Sequence, residues 1–371
     1  MARIERVEAW LVDLPPMVRR VDAIQSFVSQ ETPILRITDS DGAQGIGYSY
    51  TIGTGGASIM ALLARTLVPA LLGQEANEVE LLWRKLNYLT HATTVGAITA
   101  LAQAAIDTAL WDLRSRRAGL PLHLAAGGAQ RSVPMYTTEG GWLHLEPEAL
   151  IDDALAAKEA GFGGAKIKVG RPHVSEDVAR LRAVRDAVGP AFDIMTDANQ
   201  AFTVDEAIRR ARHMEALDVA WFEEPLPADD LNGHCRLARS TTLPVAVGES
   251  LYSTLHFREY LQAGACSVVQ VDAARIGGIT PWLKVAHLAE TFNVPVCPHF
   301  LMELHVALCC AVPNGKWVEY IPQLGRITTA PMRMQAGRAF PSDTPGLGIA
   351  WDWDAITRLA EPSLTFTLEA A

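Results

Sequence analysis

Six charged side chains close six successive runs of strand-forming residues in this chain. Asp197 ends Asp193-Ile194-Met195-Thr196-Asp197, Glu223 ends Val219-Ala220-Trp221-Phe222-Glu223, and Glu249 ends Leu243-Pro244-Val245-Ala246-Val247-Gly248-Glu249. Asp272 closes Ser267-Val268-Val269-Gln270-Val271-Asp272, His299 closes Val294-Pro295-Val296-Cys297-Pro298-His299, and Glu319 closes Lys316-Trp317-Val318-Glu319. Neighbours in the series stand about 20 to 30 residues apart, the length of a strand plus its return helix in a parallel α/β unit. Scattered surface charge would have no such phase. Three carboxylates from adjacent strands, Asp197, Glu223 and Glu249, would repel one another unless a hard divalent cation sat between them. An all-oxygen set favours Mg2+ over Zn2+. The competing explanation is acids that cap the helices of βα loops. Glu224, next to Glu223 on a strand, must face the other way and is the weaker ligand candidate.

Ahead of the acids runs Gly164-Ala165-Lys166-Ile167-Lys168-Val169-Gly170. Residues two apart on a strand share a face, so Lys166 and Lys168 project together. Mutual repulsion and burial both favour the neutral amine, and such a lysine can serve as a base near pH 7. An edge strand with two solvated lysines is the alternative. On the other side of the series, Asp272 can hold the His299 imidazole in one tautomer and raise its basicity. His91, His144, His173, His234 and His305 lie out of phase and are read as structural. Lysines on one side, metal in the middle and an Asp–His pair opposite suit removal of a proton alpha to a carboxylate. Lys166 and the metal would stabilise the enediolate, Lys168 and His299 would address the two faces of the alpha carbon, and Glu319 would bind the same carboxylate.

The elements that must position these groups follow from the pattern on either side. The chain has 371 residues, 49% hydrophobic and 20% charged, with a formal net charge of −10. This points to a soluble globular protein and away from nucleic-acid or anionic-membrane binding. No apolar run is long enough to cross a membrane, and the start shows no signal-peptide pattern. Cys235, Cys266, Cys297, Cys309 and Cys310 form an odd set without metal-type spacing, and cytoplasmic free thiols are expected. Ile4 to Leu14 and Ile34 to Ser49 read as strands, and three helical stretches lie between Ile59 and Leu113. Asp107 and Asp112 in the last of these are read as structural. Residues 1–127 are therefore an α+β capping domain, with a polar lid loop near 19–31. Residues 128–325 alternate strand and helix often enough to close a barrel. The tail, 326–371, is expected to pack back on the capping domain through Trp351 and Trp353. Gly277-Gly278 fits a turn before a helix better than an anion nest.

Together these stretches resemble the enolase superfamily and, within it, the mandelate racemase subgroup. The motifs are Lys166-Ile167-Lys168, Asp197-Ala198-Asn199-Gln200, Trp221-Phe222-Glu223-Glu224-Pro225, Gly248-Glu249, Ile276-Gly277-Gly278-Ile279-Thr280, Pro298-His299 and Pro345-Gly346-Leu347-Gly348. The resemblance implies a (β/α)7β TIM-like barrel under an N-terminal cap, essential Mg2+, Lys168 as base and Asp272–His299 as the second catalytic unit. It also implies Asn199 among the substrate-binding residues. Gly45-Ile46-Gly47-Tyr48-Ser49-Tyr50, Glu139-Gly140-Gly141-Trp142-Leu143-His144 and Met302-Glu303-Leu304-His305 look like acid-sugar dehydratases acting on galactarate or talarate. The lid stretch Gln25-Ser26-Phe27-Val28 departs from the lysine-containing lid of those enzymes. Arg19, Arg20, Gln25 and Ser26 favour a hydroxylated substrate, with Arg19, Gln25 and Ser26 expected to bind it, whereas Ile24, Phe27 and Val28 would suit an apolar one. An Mg2+-dependent dehydratase is thus the leading expectation, ahead of a 2-hydroxy-acid racemase or epimerase and of a non-catalytic metal- and carboxylate-binding relative. The expected partner is a small anionic hydroxy acid, and a homo-oligomer is expected.

Overall fold

The computed structural model describes residues 2–371. The chain opens with β1 (Ile4–Asp13), a small hairpin of β2 (Arg20–Val21) and β3 (Ser26–Phe27), then β4 (Glu31–Asp39) and β5 (Gln44–Tyr48). β1, β4 and β5 form an antiparallel meander. Its last turn is tied by the Asp39 carboxylate, which accepts the backbone N–H groups of Asp41 and Ala43 at 3.0 Å each. Helix Ala97–Arg117 crosses this sheet and buries most of its length. Its Asp112 is itself buried and accepts the N–H groups of Ile46 (2.8 Å) and Leu347 (2.6 Å). That carboxylate is structural, as its position in an apolar helix predicts.

The barrel follows as β6 (Val133–Thr137), β7 (Gly164–Lys168), β8 (Asp193–Asp197), β9 (Val219–Glu223), β10 (Val245–Val247) and β11 (Val268–Val269). All pair in parallel and in sequence order, and β12 (Val318–Tyr320) closes the ring on β6. The expected strand from Val294 to His299 is reduced to single bridges at Val296, to Val269 and to Gly315. Pro295 and Pro298 flank that residue, and neither can donate to a ladder.

Inside the barrel, Tyr136, Met195, Trp221, Ala246, Val268, Cys297 and Trp317 pack into a plug of their own. Burying each of the larger ones contributes roughly 1.5–3 kcal/mol. Because side chains alternate, the residues two further on emerge above the plug on the same inner face. Asp197 follows Met195, Glu223 follows Trp221, His299 follows Cys297, and Glu319 follows Trp317. The floor of the barrel thereby fixes the height of the charges.

Beyond the barrel come β13 (Arg333–Gln335) and β14 (Arg338–Phe340), and β14 pairs antiparallel with β6. The chain then returns to the cap, where β15 (Phe366–Glu369) adds to the free edge of β1. Trp353 packs on Trp10 at 5.2 Å between ring centroids, and Trp351 meets Tyr48 edge-on at 5.4 Å. Cap and barrel also meet through Gly278, before helix Ile279–Thr291. A Cβ there would lie 2.3 Å from Asp107 Oδ2, which accepts the Thr280 N–H at 2.8 Å. The Gly277-Gly278 pair is thus a close-approach turn rather than an anion nest. Among the described residues no helix is long and apolar enough to cross a membrane, and all five cysteines are free.

Candidate active site

Strand register sets three of the charges in a row. Lys168 lies opposite Asp197 and Asp197 opposite Glu223, each as the last residue of its strand. Glu249 follows β10 by two residues. One oxygen from each of Asp197, Glu223 and Glu249 lies within 4.8 Å of the others, and all three side chains are buried. Burial, joined by the charges of Asp197 and Glu249, pushes the Glu223 carboxyl up to about 8. Glu249 Oε2 is buried without a hydrogen-bond partner. Three convergent buried carboxylates, one with a free oxygen, fit a hard divalent cation such as Mg2+. Glu224 is also buried but turns away from this cluster, toward Gln200.

Lys166 and Lys168 emerge together above β7, as alternation requires, but their charge state differs from the sequence-based expectation. Lys166 Nζ donates to Glu223 Oε1 at 2.7 Å and lies 2.9 Å from Glu319 Oε1. Lys168 Nζ donates to Asp197 Oδ2 at 2.5 Å and Asn199 Oδ1 at 2.9 Å. Burial works against both charges, and Lys166 also lowers Lys168. The carboxylates outweigh both effects and hold Lys166 well above, and Lys168 above, the ordinary lysine value. Mutual repulsion was the wrong dominant effect, because the partners come from other strands.

Across the mouth, His299 Nδ1 lies 2.9 Å from Asp272 Oδ2. Burial disfavours an ionised Asp272, yet the hydrogen bond from His299 holds it below its usual value. An ionised carboxylate only accepts, so Nδ1 carries the proton and Nε2 faces the mouth, 3.4 Å from Glu249 Oε2. Glu319 accepts from Thr138 Oγ1 at 2.5 Å and from the Phe300 N–H at 2.9 Å. It sits beside Lys166, between the two catalytic candidates. The other histidines stay out of this set. His305 is locked as a neutral ring between the Phe300 carbonyl (3.0 Å) and the Ala273 N–H (3.1 Å).

The segment expected as a lid loop is the β2–β3 hairpin, folded over the mouth. Asp22 Oδ1 caps its turn by accepting the N–H groups of Ile24 and Gln25 at 2.8 Å each. Ala23 at the tip lies where a Cβ on Gly170, φ +128°, would come within 2.7 Å. Arg19, Gln25 and Ser26 are exposed, whereas Arg20 and Asp22 are buried and Phe27 is half-buried. Of the four polar lid residues, Arg19, Gln25 and Ser26 stay in solvent and only Arg20 turns inward. Arg20 pairs with Glu139 and donates to the Pro322 carbonyl at 3.0 Å. Two more residues escaped the sequence reading: Tyr50, bonded to Asp272, and Arg275, bonded to Glu249. Their one signal was position, just past β5 and in the loop after Asp272.

Residues 149–355 match the enolase C-terminal domain-like family, and residues 6–126 match the mandelate racemase/muconate lactonizing enzyme N-terminal domain. The chain belongs to the enolase superfamily. Among its superfamily relatives, L-talarate/galactarate dehydratase of Salmonella typhimurium is 37% identical over 353 residues, which cover 93% of this chain and 88% of the relative. The 3,6-anhydro-alpha-L-galactonate cycloisomerase of Streptomyces coelicolor is 37% identical over 360 residues, 96% of this chain and 99% of that protein. The structure of the Salmonella typhimurium L-talarate/galactarate dehydratase liganded with Mg and L-lyxarohydroxamate superposes with a TM-score of 0.94. It is 36% identical and covers 99% of this chain and 95% of that one. The barrel-and-cap architecture expected from the sequence is therefore that of the superfamily.

Proposed function

We propose that this enolase-superfamily chain is an Mg2+-dependent hydro-lyase that dehydrates a polyhydroxy carboxylate of the acid-sugar class. The observation that carries the reading is the placement of Lys168 and the His299–Asp272 pair on opposite sides of the buried Asp197–Glu223–Glu249 cluster. Asp197, Glu223 and Glu249 would hold the cation. When bound, it supplies positive charge against the substrate carboxylate and offsets the anionic charge that keeps Lys168 protonated.

The chain's own groups do the rest. Lys166, held in place by the ionised Glu319, orients the carboxylate, and Asn199 fixes the Lys168 amine. Lys168 or His299 removes the alpha proton, and the C–H electron pair enters the enediolate. Collapse of the enediolate breaks the beta C–O bond. The protonated imidazole of His299 gives its proton to the departing oxygen, which leaves as water, and the enol product tautomerises to a 2-keto-3-deoxy acid. Arg20 and Asp22 on the docked hairpin limit water access from the Lys168 side.

Cycloisomerisation is the second reading, favoured by the Streptomyces coelicolor relative that spans nearly the same length. A 3,6-anhydro bridge puts an ether oxygen on the beta carbon, so the same proton removal and the same protonated leaving oxygen would open the ring instead of releasing water. Self-association into a homo-oligomer belongs to the proposal as well, supported by Met17, Val18, Ile24 and Val28 exposed in one short segment.

The test is a panel of aldaric, aldonic, 3,6-anhydro-aldonic and simple 2-hydroxy acids incubated with enzyme and Mg2+, with products followed by NMR. A 2-keto-3-deoxy acid and water from a polyhydroxy acid is the expected result, lost on EDTA treatment. Racemisation alone, or ring opening of the anhydro acid alone, would overturn the dehydratase assignment.

A further inference from the structure

His299 is oriented from two sides, and one of them is the capping domain. Asp272 Oδ1 accepts the backbone N–H groups of Ala274 (2.7 Å) and Arg275 (3.1 Å), which fixes the carboxylate to its own loop. Its Oδ2 accepts from His299 Nδ1 at 2.9 Å and from the Tyr50 hydroxyl at 2.7 Å. Tyr50 lies just past β5, in the cap, and its side chain is buried with 1% exposure. The hydroxyl is committed at both ends, because its oxygen accepts from Arg275 Nε at 3.1 Å. Arg275 Nη1 in turn reaches Glu249, at 3.1 Å to the carbonyl and 3.3 Å to Oε1. The Tyr50 ring packs on Phe300 at 4.4 Å between centroids, and Phe300 stacks on the His299 imidazole at 5.3 Å. Tyr50 thus touches the carboxylate that holds His299 and the ring that lies against it, and touches nothing on the Lys168 side.

We propose that Tyr50 is a positioning residue supplied by the cap, which sets the His299–Asp272 pair through its hydroxyl and so governs proton transfer on one face of the alpha carbon only. The inference rests on the two-faced site proposed above. Four donors converge on Asp272, and Tyr50 provides the one that does not come from its own loop or from His299. Without it, Oδ2 has a single donor left and is free to swing with the imidazole. The Nε2 atom then loses its fixed aim at the mouth. Loss of a partner of this kind typically costs 10–100-fold in the function it supports. Because the cap carries the hydroxyl, the His299 half of the site is complete only when the cap is docked on the barrel, whereas Lys168, Asp197 and Asn199 all come from the barrel.

The test is Tyr50→Phe, which keeps the ring and its packing on Phe300. Solvent deuterium incorporation is measured by NMR on each of two C2 epimers of an accepted acid, with Mg2+ affinity measured in parallel by calorimetry. The expected result is a fall of at least about tenfold in exchange on the His299 face. Exchange on the Lys168 face and Mg2+ affinity should stay within about twofold. Equal loss on both faces, as from a purely structural defect, would overturn the proposal, and so would no loss on either. A second measurement needs neither a folded variant nor turnover. In the wild-type protein the Tyr50 hydroxyl proton should exchange slowly with water and show a nuclear Overhauser contact to the His299 ring. A hydroxyl proton exchanging at the solvent rate would overturn the proposal by itself. Absence of exchange on both faces in the wild-type protein would count against the dehydratase reading, while the hydroxyl measurement would still decide the role of Tyr50.

Discussion

At the scale of single residues, the site is governed by partners that arrive from elsewhere in the barrel. Lys168 illustrates this: its own strand predicts a depressed pKa, and Asp197 on the next strand reverses the sign. His305 is the converse case, a histidine whose two hydrogen bonds admit only the neutral ring. Burial pushes it down to about 4, against an ordinary value of 6.5. As pH falls, the unfolded chain takes up this proton first. The stability His305 contributes is therefore complete above pH 6.5 and is lost as pH falls through 4. The loss amounts to about 3 kcal/mol on reaching pH 4. Urea unfolding of wild type and His305→Gln across pH 7 to 4 should show their stability difference shrinking by that amount. A difference independent of pH would contradict the neutral assignment. The in-phase acids were legible in the sequence because a strand end fixes where a side chain emerges. Tyr50 and Arg275 were not, since nothing local says which cap residue lies over Asp272.

Among the elements, the short hairpin and the βα turns decide how the cap meets the barrel. The sequence could place a polar segment at 19–31 but could not say which half of its side chains faced inward. That was set by the turn that Asp22 caps, and a shift of one residue exchanges Arg19 for Arg20. The barrel strands were easier, because each is a β-branched run with one strand-end charge. The seventh position failed as a strand because prolines on both sides of Val296 remove ladder donors. Gly278 gives an element-scale prediction. Its φ of +121°, and the 2.3 Å that would separate a Cβ there from Asp107, leave no room for alanine. Gly278→Ala should destabilise the protein by roughly 2–4 kcal/mol, measured by denaturant unfolding, by straining the backbone and displacing Asp107 from the Thr280 N–H. A change below about 0.5 kcal/mol would mean that the cap contact there is loose.

For the whole molecule, barrel, plug and cap combine to bury three carboxylates that Lys166, Lys168 and Arg275 pair only in part, which leaves a place for a cation. Saturating Mg2+ should therefore raise the melting temperature, with a stabilisation of about 2.7 kcal/mol at a hundred times the dissociation constant. Glu223→Gln should keep the fold and lose most of that Mg2+-dependent rise. A melting temperature indifferent to Mg2+ in the wild-type protein would contradict the cation site. The two bases proposed to flank this site would turn a buried charge cluster into a catalyst. Solvent deuterium incorporation at the alpha carbon, followed by NMR for His299→Asn and Lys168→Ala on both epimers of an accepted acid, tests them. General acid–base groups contribute about 10²–10⁴-fold, so each loss should be large. His299→Asn should abolish dehydration yet still exchange the proton of the epimer that faces Lys168, and Lys168→Ala should lose that exchange and keep the other. Dehydration at the wild-type rate in His299→Asn, or loss of exchange on both faces in either variant, would contradict the two-sided site.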